Sequence, residues 1–90
     1  MYKIAQTNAF KRDLKAMIKR GFDISLLDEI VTTLASGEPL DFKYRDHPLT
    51  GNYKGSRECH IKPDWLLIYC VENDVLVLTL MRTGSHSDLF

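Results

Sequence analysis

The chain is short of the features that would settle its class at a glance. It has two cysteines, Cys59 and Cys70, too few for a disulfide scaffold. Their spacing fits no zinc pattern, so both are expected to be packed and reduced. Three prolines and five glycines in 90 residues exclude a fibrous or low-complexity chain, and no internal repeat is present. No apolar run approaches the roughly 20 residues of a membrane span. The opening "MYKIAQTNAF" lacks the apolar stretch of a secretory signal. The expectation is one cytoplasmic domain over residues 1–90 with no membrane partner. Net charge is missing as well: twelve Lys and Arg balance twelve Asp and Glu, which by itself argues against a polyanion binder.

The distribution of charge argues otherwise. Six of the twelve basic residues, Lys3, Lys11, Arg12, Lys15, Lys19 and Arg20, fall in the first twenty positions, against the single acid Asp13. Residues 21–46 reverse the balance, with Asp23, Asp28, Glu29, Glu38, Asp41 and Asp46 against Lys43 and Arg45. A neutral total therefore conceals one basic and one acidic region. A solvated helix surface would account for the same asymmetry.

Periodicity supplies the elements. "YKIA" at 2–5 reads as a short strand. Phe10, Leu14, Met17 and Ile18 then share one face of a helix, with Thr7 or Asn8 to cap its start and Gly21 just past its end. A second helix opens at Asp23, turns Leu27, Ile30, Val31 and Leu34 inward, and stops at Gly37. The short link makes the two an antiparallel hairpin. After a loop rich in Pro, Gly, Asp and Asn come three strands: "YKGSRECHI" at 53–61, "WLLIYCV" at 65–71 and "VLVLTLMR" at 75–82. The middle one is apolar on both faces and belongs in the centre of a sheet. The order is β-α-α-β-β-β, an α+β two-layer sandwich. Its antiparallel meander takes the early strand at one edge and the helical hairpin on one face.

This topology gathers polar residues. The 61–64 connection is a tight turn, so His60 and Asp64 flank one corner. The last strand returns toward Trp65, bringing Arg82 and the tail "TGSHSDLF", with His86, beside Asp64. His47 lies in the preceding loop and is less constrained. Two histidines can serve as base and acid in one turnover, and an arginine offers a fork for phosphate oxygens. Trp65 or Phe90 could stack on a base, although each is also a natural core residue. Two histidines and an arginine are what metal-free RNA cleavage needs, with the ribose 2′-hydroxyl as nucleophile. Zinc is the rival use of these histidines with Asp64 and Cys59, but no two histidines have a compact ligand spacing, so no metal or other cofactor is expected.

The stretch "YRDHPLTGNYKGSRECHIKPDWLLIY", followed by "RTGSHSDLF", resembles the YafQ-like branch of the RelE/ParE toxin superfamily. These are the endoribonuclease toxins of type II toxin–antitoxin pairs. The resemblance covers nearly the whole chain in element order and is dense from Asp46 to Phe90. It implies a RelE-like fold and an mRNA interferase. It places His47, His60 and Asp64 in base-side chemistry and substrate positioning, His86 in protonating the leaving group, and Arg82 on the scissile phosphate. Lys54 and Arg57 become further phosphate contacts, Glu58 a residue that orients a histidine, and Trp65 and Phe90 contacts to RNA. The resemblance also implies entry into the ribosomal A site, with Lys11, Arg12, Lys15 and Lys19 facing ribosomal RNA, and a cognate antitoxin through which operator DNA is met indirectly. Many relatives lack these histidines and some poison gyrase, so a non-catalytic interaction module is the alternative class.

Overall fold

The computed structural model describes residues 1–90. Strand β1 (Lys3–Gln6) leads into helix α1 (Asn8–Lys19) and helix α2 (Ile24–Ala35). Thr7 caps α1 by accepting the Phe10 N–H at 3.0 Å, and Asp23 caps α2 by accepting the Ser25 N–H at 3.1 Å. Gly21, with φ of 83°, makes the left-handed turn between the helices that a side chain would resist. Phe10 and Met17 are buried on the inner face of α1, and Leu27, Ile30 and Leu34 on that of α2. Ile18, expected inside, is exposed. It lies about 80° round the helix from Phe10, at the rim of the apolar stripe.

The sheet has five strands in the order β1-β5-β4-β3-β2, with β2 at His47–Pro48, β3 at Arg57–Lys62, β4 at Trp65–Glu72 and β5 at Val77–Gly84. The α+β sandwich read from the sequence is the one that forms, and β3, β4 and β5 are the expected antiparallel meander. One detail differs: β1 lies parallel to β5, an arrangement open to it because two helices intervene in the chain. The turn before β5 covers residues 73–76, so the strand starts at Val77 and runs on to Gly84. The two-residue β2 and a final helical turn, α3 (His86–Leu89), lay in segments read as loop and tail.

Strand β4 is central, and its residues Trp65 to Tyr69 are all buried. Its side chains alternate between two cores. Trp65, Leu67 and Tyr69 join the helices, while Leu66 and Ile68 pack with Leu89 on the opposite face. That second face carries only α3 and the turn at Gly51–Tyr53, so one end of it stays open. Cys59 is fully buried among the helix-side residues, where desolvation pushes its thiol up to about 12, an inert packing group. Neither cysteine forms a disulfide.

Candidate active site

The open end is built from strand register. His47 pairs across β2–β3 with Glu58, and Glu58 across β3–β4 with Ile68. Paired residues share a face, so His47, Glu58 and His60 all stand on the side away from the helices. The sequence left His47 unplaced, and two residues of strand pairing are what fix it. Arg45, just before it, takes a left-handed φ of 52°, uncommon for a side chain of its size. Its carbonyl accepts from His47 Nδ1 at 2.7 Å. A register shift between His60 and Lys62 inserts one extra residue at the end of β3, a device that re-aims the neighbouring side chain.

Glu58 is the centre of the group. It is 4% exposed, and its carboxylate lies 3.5 Å from His47 Nε2 and 3.4 Å from His60 Nε2. His60 Nδ1 faces the Pro63 carbonyl at 3.3 Å. Each ring therefore has an acceptor at both nitrogens, and the imidazolium form has a donor for each. Glu58, expected beside a histidine, stands between two of them.

His86 completes the row. Its ring lies 5.8 Å from that of His60, and His60 lies 6.2 Å from His47. Ser85 and Asp88 form a capping box that starts α3 at His86, and Arg20, just past the end of α1, ties Asp88 down at 2.8 Å. Asp64 Oδ1 accepts the His86 backbone N–H at 3.1 Å and Nδ1 at 3.3 Å. These bonds, the backbone one first, hold the Asp64 carboxyl below its usual range. Asp64 thus serves His86 rather than the other two rings. Phe90 is exposed, 6.2 Å from His86 and 5.9 Å from Tyr53, which leaves its ring available to a base.

Other candidates are placed differently. Trp65 is 1% exposed. Its indole N–H donates to Thr83 at 2.9 Å, and its ring meets Phe22 edge-on. Trp65 is a core residue and presents no face to a base, because the strand that positions Asp64 turns the next side chain inward. Arg57 pairs with Tyr69, so it lies on the helix face, away from the histidines, with Asp46 as its ion partner at 3.2 Å. Arg82 shares the Ile68 face, but its fork closes on Asp13 at 2.6 and 3.0 Å, which raises the guanidinium pKa. Lys54 is exposed beside the turn at Gly51–Tyr53, and Lys11, Arg12, Lys15 and Lys19 are exposed along α1.

Two supporting acids escaped the sequence reading. Asp13 holds both Arg82 and the Thr83 N–H; its standing as the lone acid of a basic segment was the available signal. Asp46, next to His47, accepts from Tyr69 at 2.6 Å and pairs with Arg57, bracing the strand that carries His47. The trio His47, Glu58 and His60 also offers three metal-ligand atoms within 4.8 Å of one another. Residue spacing along the chain concealed this, because strand pairing and not helical periodicity brings them together.

Comparison with known proteins fits this geometry. The family model for the bacterial toxin of type II toxin–antitoxin systems, YafQ, matches residues 2–90. The mRNA interferase toxin YafQ of Escherichia coli strain K12 is 39% identical over 88 residues, covering 97% of this chain and 94% of that protein. The metal-bound toxin of Helicobacter pylori is 49% identical, with a TM-score of 0.94 over 100% of both chains. The E. coli DinJ–YafQ complex gives 37% identity and a TM-score of 0.91, covering 100% of this chain and 99% of that one.

Proposed function

Because the chain belongs to the YafQ family of type II toxin–antitoxin toxins, we propose that it is an mRNA interferase cutting messenger RNA in the ribosomal A site by transesterification. The observation that carries this reading is the row of three rings, in which those of His60 and His86 lie 5.8 Å apart, close enough for one phosphate resting across both to reach a base and an acid. The ribose 2′-hydroxyl loses its proton to the base group formed by His47, Glu58 and His60. Its oxygen attacks the adjacent phosphorus. His86, held through Nδ1 by Asp64, gives the proton on Nε2 to the departing 5′-oxygen. The products are a 2′,3′-cyclic phosphate and a free 5′-hydroxyl. Arg82 remains cationic at any working pH and adds positive potential beside the phosphate while Asp13 holds its fork.

The basic residues of α1 face ribosomal RNA, and Phe90 stacks on a base of the bound message. The protein partner is an antitoxin, as in the toxin–antitoxin complex that the E. coli relative forms with DinJ. A divalent transition ion fits His47, Glu58 and His60 by donor type, and when bound it supplies Lewis-acid chemistry. Those same atoms are the base group of the proposed reaction, so the ion and the base compete.

The test is cleavage of a labelled message on programmed ribosomes, with His86→Ala in parallel and the new 3′ ends analysed. A cyclic phosphate that disappears in the variant supports the reaction. Growth arrest that survives His60→Ala with His86→Ala in a folded protein refutes it and favours a non-catalytic interaction module.

A further inference from the structure

One pocket adjoins the base group. It lies between α2, the turn at Phe42–Tyr44 and the β3–β4 corner, and holds about 510 Å³, within the range of small-ligand sites. Leu26, Ile61 and Pro63 give it apolar lining, and Lys43, Arg45 and Lys62 give it three exposed cations. No carboxylate lines it. Asp23, which feels the charge of Lys62, is occupied by the Ser25 donors at the start of α2. The Lys43 ammonium sits 5.1 Å from the centre of the Tyr44 ring, which also lines the pocket. An aromatic ring and an apolar lining for a base, beside cations for a phosphate, are what a nucleotide of single-stranded RNA requires.

The pocket also touches the reaction centre. His60 lines it. The carbonyls that hold Nδ1 of His47 and of His60 belong to Arg45 and Pro63, two more of its lining residues. A nucleotide seated there therefore braces the two segments that orient the base group. Direction follows from the row of rings. His86, the acid, stands at the opposite end from His47 and marks the 3′ side of the cut. We propose that this pocket is a subsite for a nucleotide on the 5′ side of the scissile bond, an assignment that rests on the transesterification reading.

The test is a cycle between ligand and protein. Single-stranded RNA pentamers carrying one 2′-deoxy sugar at the cut, full length or shortened by one nucleotide at either end, are titrated at low salt. The titrations use the wild-type chain and Lys43→Ala/Arg45→Ala/Lys62→Ala, with circular dichroism as the check on folding. In the wild type, removing the 5′ nucleotide should weaken binding about tenfold. The variant should bind the full pentamer about tenfold less tightly and be indifferent to 5′ truncation, while both proteins respond alike to 3′ truncation. Loss of three phosphate-region cations should lower the salt slope by about 2. Equal binding by both proteins overturns the proposal, as does a variant still sensitive to 5′ truncation or no binding by the wild type. A variant that binds RNA normally but has lost affinity for an acidic antitoxin peptide also overturns it and makes the pocket a protein-docking site. Cleavage by the wild type on programmed ribosomes is scored separately, so failure of the subsite is distinguishable from failure of the reaction.

Discussion

Replacing Glu58 by glutamine removes one charge and almost no volume, so it isolates what the carboxylate does. The carboxylate faces two imidazole nitrogens at 3.5 and 3.4 Å while only 4% of the residue is exposed. When one ring takes up the proton, its pair with the carboxylate is worth about 5 kcal/mol gross at an effective dielectric near 20. Keeping the carboxylate out of water costs several kcal/mol. About 3 kcal/mol of that one pair then remains for orienting the ring and meeting the charge it gains in the reaction. If that term acts in the transition state, Glu58→Gln lowers the single-turnover cleavage rate roughly a hundredfold. Folding stability should change by less than about 1 kcal/mol, because glutamine keeps the volume and a hydrogen bond to a ring, while the attraction develops only as a ring takes up the proton. The assay pairs single-turnover cleavage on programmed ribosomes with urea unfolding. A rate within threefold of wild type refutes the reasoning. So does a stability loss matching the rate loss, which would make Glu58 a structural residue.

Three further outcomes are expected. Trp65→Phe should cost about 2 kcal/mol of stability in urea unfolding, from the lost volume and the lost bond to Thr83; it should leave RNA affinity unchanged, whereas a base-stacking Trp65 would give the opposite pair of results. Asp88 is depressed from 3.8 to about 2, first by the Ser85 N–H and then by Arg20, so its contribution is complete above the unfolded value and disappears as pH falls through the folded one. Amide exchange at Leu89 should accordingly rise between about pH 4 and pH 2 while β4 stays protected, and Arg20→Ala should move the loss to higher pH; simultaneous loss in β4 and α3 would contradict this. Stoichiometric Zn²⁺ or Cu²⁺ should inhibit cleavage reversibly by chelator, more strongly as pH rises because the ligands must give up protons. Stimulation by the ion would show that it takes part in the reaction.

Local patterns in the sequence determined most of the scaffold. The helical stripes, the caps at Thr7 and Asp23, and the doubly apolar run at 65–71 each depend on neighbours a few residues away, so they could be read in one dimension. The closeness of Asp64 to His86 was legible too, because a tight turn and a returning strand leave it little freedom. The tertiary structure alone decided which face each side chain occupies. A strand alternates its faces every residue, and the register set by β2 put His47 and Glu58 together while sending Arg57 to the other side. Register also turned Trp65 into the core, and packing of α1 beside β5 gave Arg82 to Asp13. The sequence supplied the histidines, but only strand pairing at a single-residue register could assemble two of them around one buried carboxylate.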